Sequence, residues 1–316
     1  MRILVTGSKG VVGSKLVEVL KLQGHKVFGV DLFHTNNTYG HGLGAVGGED
    51  YFRCDISEYR QIENVIRYVK PDVVYNCAAE FGRWNGEHFY EQVWKTNAIG
   101  LKHIIRLQEE IGFKLVHCSS SEVYGDYKDV MWEDVLEKTP IKQMNDYAIS
   151  KRVNEMQINN SRHQFGSQTV LVRIFNTYGP GEWYHPFRSV NCLFTYNLLH
   201  GKPITVYPGH TRTSTYIYDC VNALSKICSN FKDGEVYNLA SSNHHTIEYL
   251  AELILKETKA DPRLVTIANK SEILTTKDKF VDAEKARKDL NMSESVTLET
   301  GVKNTVKWMR KYYEIN

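Results

Sequence analysis

The chain has 316 residues, 42% apolar and 24% charged, with a formal net charge of +2. That length buries a sizeable core and fits about two domains, while near-neutral charge without a long Lys/Arg run excludes the polybasic surface of a nucleic-acid or membrane-surface binder. No apolar run approaches the roughly 20 residues that cross a bilayer, and the N-terminus lacks the apolar core and cleavage site of a secretory signal, so a cytoplasmic protein with no membrane partner is expected.

In chain order, short β-branched runs alternate with helical patterns. Ile3–Thr6, Lys26–Val30, Val73–Asn76, Leu115–Ser119 and Val170–Arg173 read as buried strands. Val12–Gln23, Gln61–Val69, Glu87–Ile111 and Asp146–Gln164 read as the helices between them. Such alternation requires a parallel sheet covered by helices on both faces, and right-handed crossovers make it doubly wound. After Asn176 the pattern loosens around Pro180, Pro186, Pro203 and Pro208. Val236–Leu239 reads as one more sheet strand, and Ile247–Glu257 and Leu298–Tyr313 as helices. The expected fold class is α/β: residues 1–175 form a doubly wound dinucleotide domain that also receives the strand near 235–240, and residues 176–316 mainly form a smaller α/β substrate domain over the carboxyl edge of the sheet.

Gly7, Gly10 and Gly13 give G-x-x-G-x-x-G directly after the first strand. Lacking Cβ atoms, they let backbone N–H groups approach a pyrophosphate while the next helix points its positive end at it. Asp31, after the second strand, suits the adenosine ribose hydroxyls and repels a 2′-phosphate, which favours NAD over NADP. Asp55 and Ile56 are expected beside the adenine. The six cysteines form no Cys-x-x-Cys pair and read as reduced structural thiols. His34 and His41 have no ligand pattern around them, and no metal is expected.

Tyr147 and Lys151 are four residues apart and share one helical face. Bringing a phenol from about 10 to about 7 costs about 4 kcal/mol. One cation at about 4 Å in an effective dielectric of about 20 supplies about 4 kcal/mol. Lys151, aided by a positive nicotinamide, is therefore expected to make Tyr147 a base. The preceding strand ends in Ser119, Ser120, Ser121 and Glu122. Ser120 is placed to hold the hydroxyl that loses its proton to Tyr147, and Glu122 to remove a proton beside the new ketone.

Together these pieces resemble the extended short-chain dehydrogenase/reductase family, the NAD-dependent nucleotide-sugar epimerases and dehydratases, on a Rossmann sheet. The resemblance runs nearly the whole chain and also rests on Asn76–Ala79, Asn97, Arg173–Gly179 and Arg212 through Tyr216. It implies that Ala78 and Asn97 contribute to the NAD site, that Asn176 and Arg212 contact a nucleotide diphosphate, and that a homodimer forms through the helices carrying Asn97 and Tyr147. The substrate implied is a sugar activated by UDP, GDP, CDP or dTDP. Glu80 through Gly86 is unlike the usual loop, so Glu80, Arg83 and Trp84 are expected to set the substrate preference. The Ser120-Ser121-Glu122 segment resembles those of 4,6-dehydratases and of hexuronate decarboxylases, with Ser121 where some dehydratases carry Asp. A 4,6-dehydratase yielding a 4-keto-6-deoxy sugar is the first expectation. A 4-epimerase and a UDP-hexuronate decarboxylase, the latter with Arg83 or Arg188 receiving the C6 carboxylate, are the alternatives. A catalytically silent NAD-binding regulator is the remote one.

Overall fold

The computed structural model describes residues 1–33 and 50–315. His34 and His41 lie outside the described residues. Seven parallel strands form the central sheet: β1 (Arg2–Thr6), β2 (Lys26–Asp31), β3 (Tyr51–Arg53), β4 (Val73–Asn76), β5 (Lys114–Ser120), β6 (Thr169–Ile174) and β7 (Val236–Leu239). Their spatial order is β7-β6-β5-β4-β1-β2-β3, so the strand order reverses beside β1. Ligands bind at such a switch point, outside the carboxyl ends of the strands.

Period-two alternation explains why the sheet is covered on both sides. Ile3 and Val5 of β1 enter one core with Leu16, Val17 and Leu20 of helix α1 (Val11–Leu22). Leu4 enters the other core with Ile62 and Ile66 of α2 (Tyr59–Val69). Each such side chain, fully buried, contributes roughly 1.5–3 kcal/mol. The later chain returns to the first core: Cys220, Ala223 and Leu224 pack there, and β7 pairs with β6 as the sequence pattern predicts. A separate apolar cluster joins Phe194, Leu198, Leu250, Ile254 and Val302 from the helices Val190–Leu199, Ile247–Thr258 and Leu298–Tyr312.

The single helix expected over Glu87–Ile111 is broken. A short helix α3 (Arg83–His88) ends at Phe89 (φ −131°, ψ 46°), a helical turn follows at Tyr90–Val93, and a π-helical segment, Trp94–Gly100, leads into α4 (Leu101–Ile111). Hydrogen bonding of the i→i+5 type inserts an extra residue per turn, which a 3.6-residue pattern cannot register. The segment turns Asn97 inward and brings Gly100 against Ile56, where a Cβ would lie 2.8 Å from the Ile56 side chain.

Candidate active site

A cavity of about 980 Å³ opens along the carboxyl edge of the sheet. At one end it is made of backbone. Gly7 (φ 66°) has no room for a side chain, since a Cβ would come 2.7 Å from the Ala78 nitrogen. A Cβ on Gly13 would come 2.1 Å from the Gly7 oxygen. Gly10 caps α1 without a side-chain bond, so the helix presents its first N–H groups to the cavity. Asp31 accepts from the Lys9 and Leu32 backbone nitrogens, each at 2.8 Å. Burial pushes its carboxyl up against those two bonds. Asp55, Ile56 and Ala78 complete this wall. Crowded glycines, an open helix N-terminus and a carboxylate after β2 are the features that a dinucleotide requires.

Asn97 does not line the cavity. It is buried behind it, and its amide clasps the Glu80 backbone from both sides (Glu80 N to Oδ1 2.9 Å, Nδ2 to Glu80 O 3.0 Å) and also donates to Ser150 Oγ at 3.0 Å. The residue expected at the cofactor thus fixes the start of the 80–86 loop.

Helix α5 (Asp146–Phe165) is capped by Asn145, whose side chain accepts from the Ala148 nitrogen at 2.8 Å. Its first turn carries Tyr147 and its second Lys151. A buried pair, Glu155 with Arg173 of β6 at 2.9 Å, ties the helix to the sheet, and Ser119 donates to the same carboxylate at 2.7 Å. Lys151 Nζ donates to the Cys118 carbonyl at 2.8 Å and stands 5.9 Å from the Tyr147 ring centre. Burial lowers Lys151 to about 8. Burial pushes Tyr147 up to about 12, against a hydrogen bond from Ser120. At the phenol, burial outweighs the Ser120 bond. The Lys151 ammonium is engaged with a backbone carbonyl.

The other end of the cavity gathers charged side chains from distant segments. Ser120 caps the 3₁₀ turn Ser121–Tyr124 by accepting from the Glu122 nitrogen at 3.2 Å. Glu122 pairs with Lys279, whose side chain is 1% exposed and also lies 3.3 Å from Ser121 Oγ. Burial opposes ionisation of Glu122, yet Lys279, with Arg212 and Arg83 further off, holds it below the usual carboxylate range. Arg83 of α3 pairs with Glu272. Arg212 donates to the Lys277 carbonyl and to Thr275 Oγ1, both at 3.0 Å. Asn145 reaches Glu122 at 3.5 Å and the Leu274 carbonyl at 2.9 Å.

Glu80, Arg83, Trp84, Ser120, Ser121, Glu122, Asn176 and Arg212 all line this part of the cavity. Asn176, at φ 36°, keeps a buried Oδ1 without a partner. Arg188 lies over Phe81 (4.0 Å) and Trp183 (4.6 Å) with a buried, unpartnered Nε. Sequence reasoning missed Lys279 and Glu272. Both come from polar, charged stretches that read as solvated loop, and no local signal sends them inward.

Residues 3–240 match the family described as "NAD dependent epimerase/dehydratase family". The chain is 30% identical over 322 residues to UDP-glucuronic acid decarboxylase 1 of Xenopus tropicalis, covering 99% of this chain and 73% of that protein. It is 28% identical to UDP-N-acetyl-alpha-D-glucosaminuronate decarboxylase of Bacillus cytotoxicus, covering 98% of each. Among solved structures it is similar to the UDP-glucuronic acid 4-epimerase of Bacillus cereus, a complex with UDP-glucuronic acid and NAD (TM-score 0.84, 24% identity, 99% of this chain and 100% of that one).

Proposed function

This chain belongs to the NAD-dependent epimerase/dehydratase family, whose cofactor is NAD, and from that membership we propose that it oxidises C4 of a nucleotide-linked hexuronate, UDP first among the nucleotides, and releases C6 as carbon dioxide. The glycine turn and Asp31 hold the dinucleotide, with Asp55, Ile56 and Ala78 beside it. Residues 176–316 mainly bind the nucleotide sugar, with Asn176 and Arg212 at the diphosphate, where a fixed fork of donors suits phosphate. Bound at the glycine turn, NAD would supply the acceptor for the C4 hydride and its donor on return. Tyr147 Oη receives the C4 hydroxyl proton while Ser120 bonds the same oxygen and Lys151 supplies positive charge. Arg83, which lines the cavity, receives the C6 carboxylate. A carboxylate β to the C4 ketone leaves without protonation of a leaving group, and C5 takes up a proton afterwards.

The observation that carries this reading is the Glu122–Lys279 ion pair. A 4,6-elimination needs an acid for the departing C6 hydroxyl. Glu122 is held ionised, and Ser121 stands where a second carboxyl would serve. Loss of carbon dioxide needs neither. Two of the relatives are named for that chemistry on uronates. The 4,6-dehydratase expected from the sequence is the second reading. The same ionised Glu122, 3.5 Å from Asn145 at the head of the Tyr147 helix, supports it as the C5 base.

The test is to incubate NAD-loaded protein with UDP-glucuronate, UDP-N-acetylglucosaminuronate, UDP-glucose, dTDP-glucose and GDP-mannose and to follow products by mass. A UDP-pentose with carbon dioxide evolved supports the proposal. A 4-keto-6-deoxy product, or 4-epimers alone, overturns it in favour of the dehydratase or the epimerase. A homodimer fits the exposed apolar side chains Ile99, Ile149 and Met156 on the helices carrying Asn97 and Tyr147. A monomeric mass by light scattering would refute it. Among the described residues no helix is long and apolar enough to cross a membrane.

A further inference from the structure

Cys77 follows β4 and Cys118 lies in β5, one position beyond the Asn76–His117 pair, so the two residues face each other across adjacent strands. Their sulfurs are 3.5 Å apart. Both residues line the cavity. The Cys77 backbone lies directly under Gly7, where a Cβ would come 2.8 Å from the Cys77 carbonyl carbon. Cys118 supplies the carbonyl that anchors Lys151. The contact with Cys77 and the Lys151 ammonium favour the Cys118 thiolate, the reactive form of cysteine, whereas the same contact and burial push Cys77 up. All six cysteines are free; Cys118 is buried and Cys77 half-buried, Cys54 also lines the cavity, and Cys192, Cys220 and Cys228 are buried away from it.

We propose that Cys77 and Cys118 are an oxidisable dithiol pair, converted to a disulfide by a hydroperoxide that enters the cavity, and that closing this bond disables the dinucleotide site. One thiolate sulfur attacks the peroxide, the O–O bond breaks, and a sulfenic acid and one water result. The second thiol then displaces that oxygen as a second water. Two S–H bonds are lost, one S–S bond forms, and hydrogen peroxide takes both electrons. Closure draws the sulfurs from 3.5 Å to about 2.05 Å. This pulls together the two strand ends that carry the Lys151 anchor and the floor beneath Gly7. Neither has slack, because Gly7 already meets Ala78 more closely than any side chain would allow. A bound dinucleotide covers the pair, so cofactor loss is what exposes it.

The proposal rests on the dinucleotide lying over Gly7–Gly13, not on the choice of sugar. The experiment treats the full chain with hydrogen peroxide, with and without saturating NAD. It reads crosslinked peptides by mass spectrometry and NAD affinity by calorimetry. The expected result is a Cys77–Cys118 peptide lighter by two hydrogens, NAD affinity weaker by roughly tenfold or more, recovery with dithiothreitol, and protection by NAD. Cys77→Ala and Cys118→Ala, each compared with its own untreated sample, should keep their NAD affinity under peroxide, whereas Cys220→Ala should lose it as the wild type does. The proposal is overturned if both thiols stay reduced, or if the crosslinked protein binds NAD undiminished. If the reduced wild type binds no NAD, the cofactor placement falls with it.

Discussion

The two ends of the cavity are built by opposite means. The NAD end is backbone: Gly7, Gly10 and Gly13 lie within seven residues, their crowding is set by Ala78 and by one another, and Asp31 is held by its neighbours Lys9 and Leu32. The sugar end is side chains: Glu122 meets Lys279, Arg83 meets Glu272, and Arg212 meets Thr275, partners 157, 189 and 63 residues apart. The difference teaches that a generic cofactor is bound by geometry that few residues can disturb, while substrate choice is written in charges that a loop can change.

Tyr147 stands where the two ends meet, and its loss should separate them most sharply. Tyr147→Phe is expected to lower turnover by roughly 10²–10⁴-fold and leave NAD affinity within about twofold, measured by steady-state kinetics beside calorimetry. Parallel loss of both would show that the phenol builds the cofactor site and would break the distinction.

Next comes the buried ion pair at the sugar end. Lys279→Met leaves a carboxylate without its partner, which costs about 3–5 kcal/mol where a pair is buried, read by denaturant unfolding. Glu122 has its carboxyl held below the usual range, so its stabilisation is present above that range and is lost as pH falls through the lowered value. In the variant that loss should move to higher pH, and Glu122→Gln added to Lys279→Met should recover part of the stability. Full stability of the single variant would show that the pair is merely tolerated.

At the NAD end, Gly13→Ala places a Cβ 2.1 Å from the Gly7 oxygen and should cost about 1–3 kcal/mol by overpacking, with NAD affinity falling more than uronate affinity. Equal loss of both ligands would merge the two ends into one unit.

The smallest effect is a pH limb. Lys151 titrates at about 8, so turnover should fall as pH rises through that value and the ammonium is lost, and Lys151→Arg should carry the limb upward in a pH–rate profile. Between about 8 and the ordinary 10.5 the unfolded chain holds a proton that the folded chain has released, so this lysine's contribution to stability rises with pH across that window. A flat profile from pH about 7 to about 9 would show that Lys151 acts by position alone.

Legibility followed the same division. Strands β1, β2, β4, β5, β6 and β7, helix α5 and the glycine turn stood in the sequence because apolar periodicity and glycine spacing are local. The helix over Glu87–Ile111 was misjudged because Phe89 breaks it with no Gly or Pro at that point, and Gly100, at the end of the π-helical segment, does not by itself mark a change of hydrogen bonding. Asn97, assigned to the cofactor, lies behind the cavity and bonds the Glu80 backbone.

The sequence by itself determined most of the strands, the glycine turn and the Tyr147/Lys151 face, since each depends on residues within a turn or two of one another. Tertiary structure alone decided the protonation of that face and the composition of the sugar end. Burial shifts titrating groups by amounts that spacing does not encode, and Lys279 becomes a partner of Glu122 only when a loop near the end of the chain folds over a strand end formed 157 residues earlier.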